Sequence, residues 1–245
     1  MLDKLLVKRG TPRDVFTDQY MPEQAITDRK LVNEGGKNLH VLFPPWHGGG
    51  RSYEQLVKRR VASGDAVLAY YFHDEILTPD TAKVHASFAY LRDTVADELT
   101  ELTGNHDYGR VQLIAMSLGN PALTMAISKF HDFDSINLVC TASSLARSMW
   151  HGTRTQHIRA GIEANGQDLA YVEKAWQDMT PTNHLDDFMG KEVSILVSTT
   201  DEIIPADYQM EFVDAAQEFG IDPYVQTTRL GHYATIGRYC LYGKF

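Results

Sequence analysis

Cysteine is scarce in this chain. There are two in 245 residues, Cys140 and Cys240, far apart and in no metal-ligand spacing. That scarcity excludes a disulfide-built scaffold and a zinc site made of cysteines alone. Both residues read as small apolar side chains of a reducing compartment, with a pairing between them left open. Basic residues are also in the minority: 23 Lys and Arg stand against 32 Asp and Glu, a formal charge of −9. Such a balance argues against nucleic acid or an anionic membrane surface as a partner. No apolar run approaches the length needed to span a bilayer, and the opening Met1-Leu2-Asp3-Lys4 is not a signal peptide, so the expected location is cytoplasmic. Internal repeats, low-complexity tracts and long linkers are missing too. One domain over residues 1–245, long enough to bury a substantial core, is the economical reading. Oligomeric state is not legible.

What is present is an alternation of buried strands with amphipathic helices. Leu39–Phe43, Ala66–Phe72, Arg110–Met116, Ser135–Cys140, Glu192–Ser198 and Tyr224–Thr228 read as strands. Between them Tyr53–Ala62, Asp80–Thr103, Pro121–Phe130 and Ala206–Phe219 read as helices, the longest with Val84, Phe88, Leu91, Val95 and Leu99 at helical spacing. This order implies an α/β domain with a mostly parallel sheet, whose ligands gather at the carboxyl ends of the strands. Residues 1–38 carry weaker signals, with short strands at Leu5–Val7 and Ala25–Val32. From Ala142 to Asp187 the alternation breaks into a strandless stretch holding Met149, Trp150, Tyr171, Trp176 and Met179. It is too long for a plain connection, so it reads as a helical, cap-like insertion over 142–187, lying over the strand ends. Most of its aromatics read as packing; Met149 and Trp150, with Trp46, are candidates for a substrate pocket.

Three loops beyond strand ends carry chemistry. The first is Ala115-Met116-Ser117-Leu118-Gly119, where a strand passes through a serine straight into a helix. Such a turn lifts the hydroxyl above the sheet and aims the first helical N–H groups at the space before it. The tight approach requires small residues two before and two after the serine, and Ala115 and Gly119 meet that requirement. An ordinary turn serine would look similar in isolation. The second is Trp46-His47-Gly48-Gly49-Gly50, whose consecutive glycines can turn backbone N–H groups toward a ligand. A phosphate loop is the competing reading, but Arg51-Ser52 is not the Lys-Ser/Thr such a loop requires. The third element is a pair: Asp201 just after one strand and His232 after the last. Ser117, Asp201 and His232 therefore stand in that order, each beyond the end of a strand.

These motifs together resemble the α/β-hydrolase superfamily, over residue 39 to the C-terminus. The residues that carry the likeness are Trp46-His47-Gly48-Gly49-Gly50, Ala115 to Gly119, Thr200-Asp201-Glu202-Ile203-Ile204-Pro205 and Leu230-Gly231-His232. Ala115 departs from the usual glycine. The resemblance implies an eight-stranded, mostly parallel sheet, abbreviated at the N-terminal edge, and a last helix confined to Ile236–Tyr242. It implies a Ser117–His232–Asp201 triad, with Asp201 rather than Glu202 as the acid. The oxyanion hole would be formed by the backbone N–H groups of Leu118 and Gly49. His47 is expected only to shape the glycine loop. No metal or organic cofactor is required. The expected activity is cleavage of a small or medium carboxylic ester or thioester through an acyl-enzyme. Amide, lysophospholipid or carbon–carbon bond cleavage on the same triad, and a catalytically silent binding protein, remain open beside it.

Overall fold

The computed structural model describes residues 19–48 and 50–243. The expected strand at Leu5–Val7 lies outside them. Seven strands form one sheet: β1 (Ile26–Val32), β2 (Leu39–Phe43), β3 (Ala66–Phe72), β4 (Val111–Met116), β5 (Ser135–Val139), β6 (Glu192–Ser198) and β7 (Tyr224–Thr228). Their order is β1-β3-β2-β4-β5-β6-β7. Every neighbouring pair is parallel except β1 with β3, so the antiparallel strand is confined to one edge. The mostly parallel sheet is therefore as the alternation predicts, with seven strands among the described residues where the resemblance implies eight.

Side chains of the central strands alternate between two apolar layers, as a period of two requires. On β4, Leu113 and Ala115 face one layer while Ile114 and Met116 face the other. The larger layer holds α2 (Thr81–Asn105), with Val84, Phe88, Leu91, Val95 and Leu99 buried, and α3 (Gly119–Ile127). Part of α7 (Ala206–Glu218) joins it through Phe212 and Val213. The smaller layer is closed by α1 (Gly50–Ala62) and α8 (His232–Tyr242), which contribute Tyr53, Leu56, Ile236 and Tyr239. Tyr53 is fully buried, and its hydroxyl reaches the carbonyl oxygens of Leu42 at 2.8 Å and Tyr70 at 3.1 Å. It ties α1 to β2 and β3 without leaving a polar atom stranded.

Between β5 and β6 the described chain holds no strand and carries α4 (Leu145–His151), α5 (Gln156–Ala164), α6 (Leu169–Ala175) and two short 3₁₀ segments, Gln177–Met179 and Pro181–Phe188. Trp176 is fully buried here and its indole N–H donates to the carbonyl of Thr81 at 3.0 Å, fastening this stretch to the start of α2. Among the described residues no helix is long and apolar enough to cross a membrane.

Candidate active site

The carboxyl ends of β4, β6 and β7 converge on three side chains. Ser117 follows β4 at once and adopts φ +52°, a left-handed conformation that costs a non-glycine residue about 1–2 kcal/mol. The cause lies in the packing of the turn. A Cβ on Gly119 would meet the carbonyl oxygen of Phe43 at 2.6 Å and that of Pro44 at 2.8 Å. Helix α3 thus starts against the backbone leaving β2, and the chain between strand and helix has no room for a relaxed turn. Asn120, buried behind it, donates its side-chain amide to the carbonyls of Ser117 at 2.9 Å and Val139 at 3.1 Å. The strained turn is thereby laced to the end of β5.

Asp201 leaves β6 with its carboxylate fully engaged. Oδ1 accepts the backbone N–H groups of Ile203 and Ile204, each at 2.8 Å. Oδ2 lies 2.7 Å from Nδ1 of His232 and 2.9 Å from the Gln209 amide nitrogen. Gln209 is itself fully buried and also accepts the N–H of Ser198 at 3.0 Å, which fixes its orientation. His232 completes the line: Nε2 lies 2.9 Å from Oγ of Ser117. A carboxylate only accepts, so the imidazole proton sits on Nδ1 and Nε2 is left to accept from the serine hydroxyl. The side chain of Asp201 is 0% exposed and that of His232 3%, while Ser117 is half-buried and reaches the surface of the site. Carboxylate and imidazole are dry; the hydroxyl is accessible.

Two details differ from expectation. Helix α8 begins at His232 itself rather than at Ile236, so the imidazole rides on a helical first turn instead of a loop. The start is set by Glu202, whose carboxylate accepts the backbone N–H of His232 at 3.0 Å and satisfies a group that has no partner within the helix. Glu202 therefore does reach His232, by its backbone, while Asp201 takes the ring. A Cβ on Gly231 would lie 2.6 Å from that carboxylate oxygen, so a larger residue there would displace the Glu202 side chain from the helix start.

Leu118 opens α3 beside the serine, where the first backbone N–H groups of a helix have no intrahelical acceptor. Gly49 lies outside the described residues. The loop before it is held from the side: Nδ1 of His47, itself at φ +62°, lies 2.9 Å from the Asp74 carboxylate, and the Trp46 indole donates to the Asp74 carbonyl at 2.8 Å. Of the three pocket candidates, Trp46 is half-buried at this loop, whereas Met149 and Trp150 are buried within the core on α4. Residues 152–157, which the sequence did not single out, touch the site's rim at three points. Thr153 donates to the Glu202 carbonyl at 2.7 Å, Arg154 lies over the Tyr233 ring at 5.8 Å, and His157 stacks on Trp46 at 6.4 Å. Trp46 follows β2 whereas Glu202 and Tyr233 follow β6 and β7, so the segment crosses the ends of the intervening β4 and β5.

Gln209, Asn120 and Cys140 are the supporting residues that sequence reading missed. Cys140 follows β5 at φ +50° with its thiol against the Asp201 carboxylate; burial and that neighbouring charge push the thiol well above its ordinary range. Nothing in the local sequence marks any of the three, because each acts across a distance that only the fold closes.

No protein-family model matches the chain, and no curated protein sequence matches it. Solved structures do. An acylaminoacyl peptidase from Pyrococcus horikoshii is similar with a TM-score of 0.61 at 12% identity, over 84% of this chain and 35% of the peptidase. A puromycin-hydrolyzing peptidase from Mycobacterium tuberculosis gives 0.59 at 16% identity, over 84% and 32%. An esterase from Pyrococcus furiosus gives 0.54 at 11% identity, over 86% of this chain and 80% of the esterase. The chain thus spans about a third of the length of the two peptidases and most of the esterase. At these identities the likeness is one of fold.

Proposed function

We propose that this chain, which has the α/β-hydrolase fold, is a serine hydrolase that cleaves a carboxylic ester or thioester of a small or medium acyl group. The observation that carries the reading is the continuous line from Asp201 to His232 to a serine held at φ +52°. In the proposed reaction Ser117 attacks the acyl carbon as Nε2 of His232 takes its proton. Asp201 holds the imidazole in the required tautomer and stabilises the imidazolium. The backbone N–H of Leu118, with that of Gly49, would receive the tetrahedral oxyanion. His232 then returns the proton to the departing alkoxide or thiolate, and water repeats the sequence on the acyl-enzyme.

Residues 142–187 act in this proposal as a cap, with the 152–157 segment as its rim and Trp46 as a wall of the acyl pocket. Met149 and Trp150, buried on α4, would anchor the cap to the core. The two peptidases among the similar structures favour a second reading, cleavage of an amide by the same triad, since the chemistry differs only in the leaving group. Buried free thiols at Cys140 and Cys240 suit a reducing setting, and the proposal extends to a cytoplasmic location. A panel of p-nitrophenyl esters, acyl thioesters and aminoacyl anilides of graded acyl size tests both readings. Turnover of short and medium esters well above that of anilides is expected. Preference for anilides would transfer the assignment to the amide reading, and no turnover of any substrate would contradict both.

A further inference from the structure

Ligand-capable atoms of Cys140, Asp201 and His232 lie within 4.8 Å of one another. They are a thiol sulfur, a carboxylate oxygen and an imidazole nitrogen, and Nδ1 is the ring nitrogen that faces Asp201. From this juxtaposition the geometry points to an inhibitory site for a thiophilic divalent cation such as Zn²⁺, built into the back of the proposed triad.

The donor set decides the class of ion. Sulfur, nitrogen and one carboxylate oxygen suit Zn²⁺, Cd²⁺ or Co²⁺, whereas Mg²⁺ and Ca²⁺ take oxygen ligands in larger number. Zinc bonds of about 2.0–2.3 Å place tetrahedral ligands roughly 3.3–3.6 Å apart, so the imidazole and carboxylate need to separate by less than about 1 Å and the farthest donors to close by at most about 1.5 Å. Charge also closes. Binding removes the Cys140 proton to solvent, and the cation is then neutralised by one thiolate and one carboxylate. The imidazole keeps its single proton, which moves from Nδ1 to Nε2 as Nδ1 takes the metal. That move is the inhibitory event: a protonated Nε2 donates toward Ser117 and can no longer accept its proton. The inhibitory consequence rests on the serine hydrolase reading, whereas the metal site does not.

Two measurements separate these. The first is binding of Co²⁺ to metal-free protein, read as a thiolate-to-cobalt charge-transfer band at one ion per chain. It is expected in the wild type and in Ser117→Ala, and lost in Cys140→Ser and Cys140→Ala. The second is ester turnover under Zn²⁺, with Mg²⁺ and Ca²⁺ as controls and a chelator to reverse it. Each Cys140 variant, compared with its own metal-free rate, should need on the order of 100-fold more Zn²⁺ for half-inhibition. Absence of the band, or a band unchanged in both Cys140 variants, would overturn the site. A band without Zn²⁺ inhibition of an active wild type would overturn the tautomer lock. A wild type that binds cobalt but never hydrolyses an ester would instead count against the proposed function alone.

Discussion

Asp201 and Glu202 are adjacent, equally acidic, and both bonded to His232, one at the ring and one at the backbone. Their substitutions should nevertheless diverge. Asp201→Asn places an amide where Nδ1–H needs an acceptor, favours the wrong tautomer, and is expected to lower kcat by about three to four orders of magnitude. Glu202→Gln keeps an oxygen for the His232 N–H and should cost less than about tenfold. Steady-state kinetics of both variants on one activated ester checks this; the reverse ranking would move the acid to Glu202. The sequence made Asp201 the candidate through its position after a strand and the likeness of Asp201-Glu202-Ile203-Ile204-Pro205. It did not make Gln209 or Asn120 candidates. A residue that orients another through a buried amide leaves no local pattern, since its partner is eight residues away in one case and at a strand end in the other.

At the scale of elements, a tight join lies where α3 starts against the backbone leaving β2. Gly119→Ala forces a methyl against two backbone carbonyls, and overpacking of that kind costs about 1–3 kcal/mol. Chemical denaturation should register that loss, together with a fall in kcat, because any relief must move Ser117. A variant as stable and active as the wild type would contradict the account of the turn. Helix α8 carries the other dependence. Burial raises Tyr239 to about 12 and Cys240 to about 12, so the fold holds both protons more tightly than the unfolded chain does. Their contribution is fully present below the ordinary thiol and phenol values, about 8.5 and 10, and is lost as pH rises toward about 12. The melting temperature should therefore fall between about pH 8.5 and about pH 12, and Tyr239→Phe should flatten part of that slope while lowering the starting Tm. The strands and long helices were legible because their apolar residues repeat at one period. The start of α8 was not, because it depends on the Glu202 carboxylate arriving from another loop.

The whole molecule gathers its chemistry at one end of the sheet, as parallel strands with helical crossovers require. Ser117 comes from β4, Asp201 from β6 and His232 from beyond β7, and the chain order alone pointed to that convergence. The crossing of residues 152–157 above it was not readable, since its contacts are made by an exposed threonine, arginine and histidine of no particular pattern. If this segment borders the acyl pocket, Arg154→Ala and His157→Ala should change KM across acyl lengths while holding kcat on a short ester within about tenfold. Unaltered acyl preference in both would remove the cap from substrate selection. The central claim is that Ser117 is a nucleophile activated by His232, and covalent labelling tests it most directly. A fluorophosphonate probe followed by peptide mass spectrometry should modify wild-type protein at Ser117 alone, and His232→Ala should slow that labelling by about 10⁴-fold or more. Labelling elsewhere, or at the same rate without the imidazole, would contradict it.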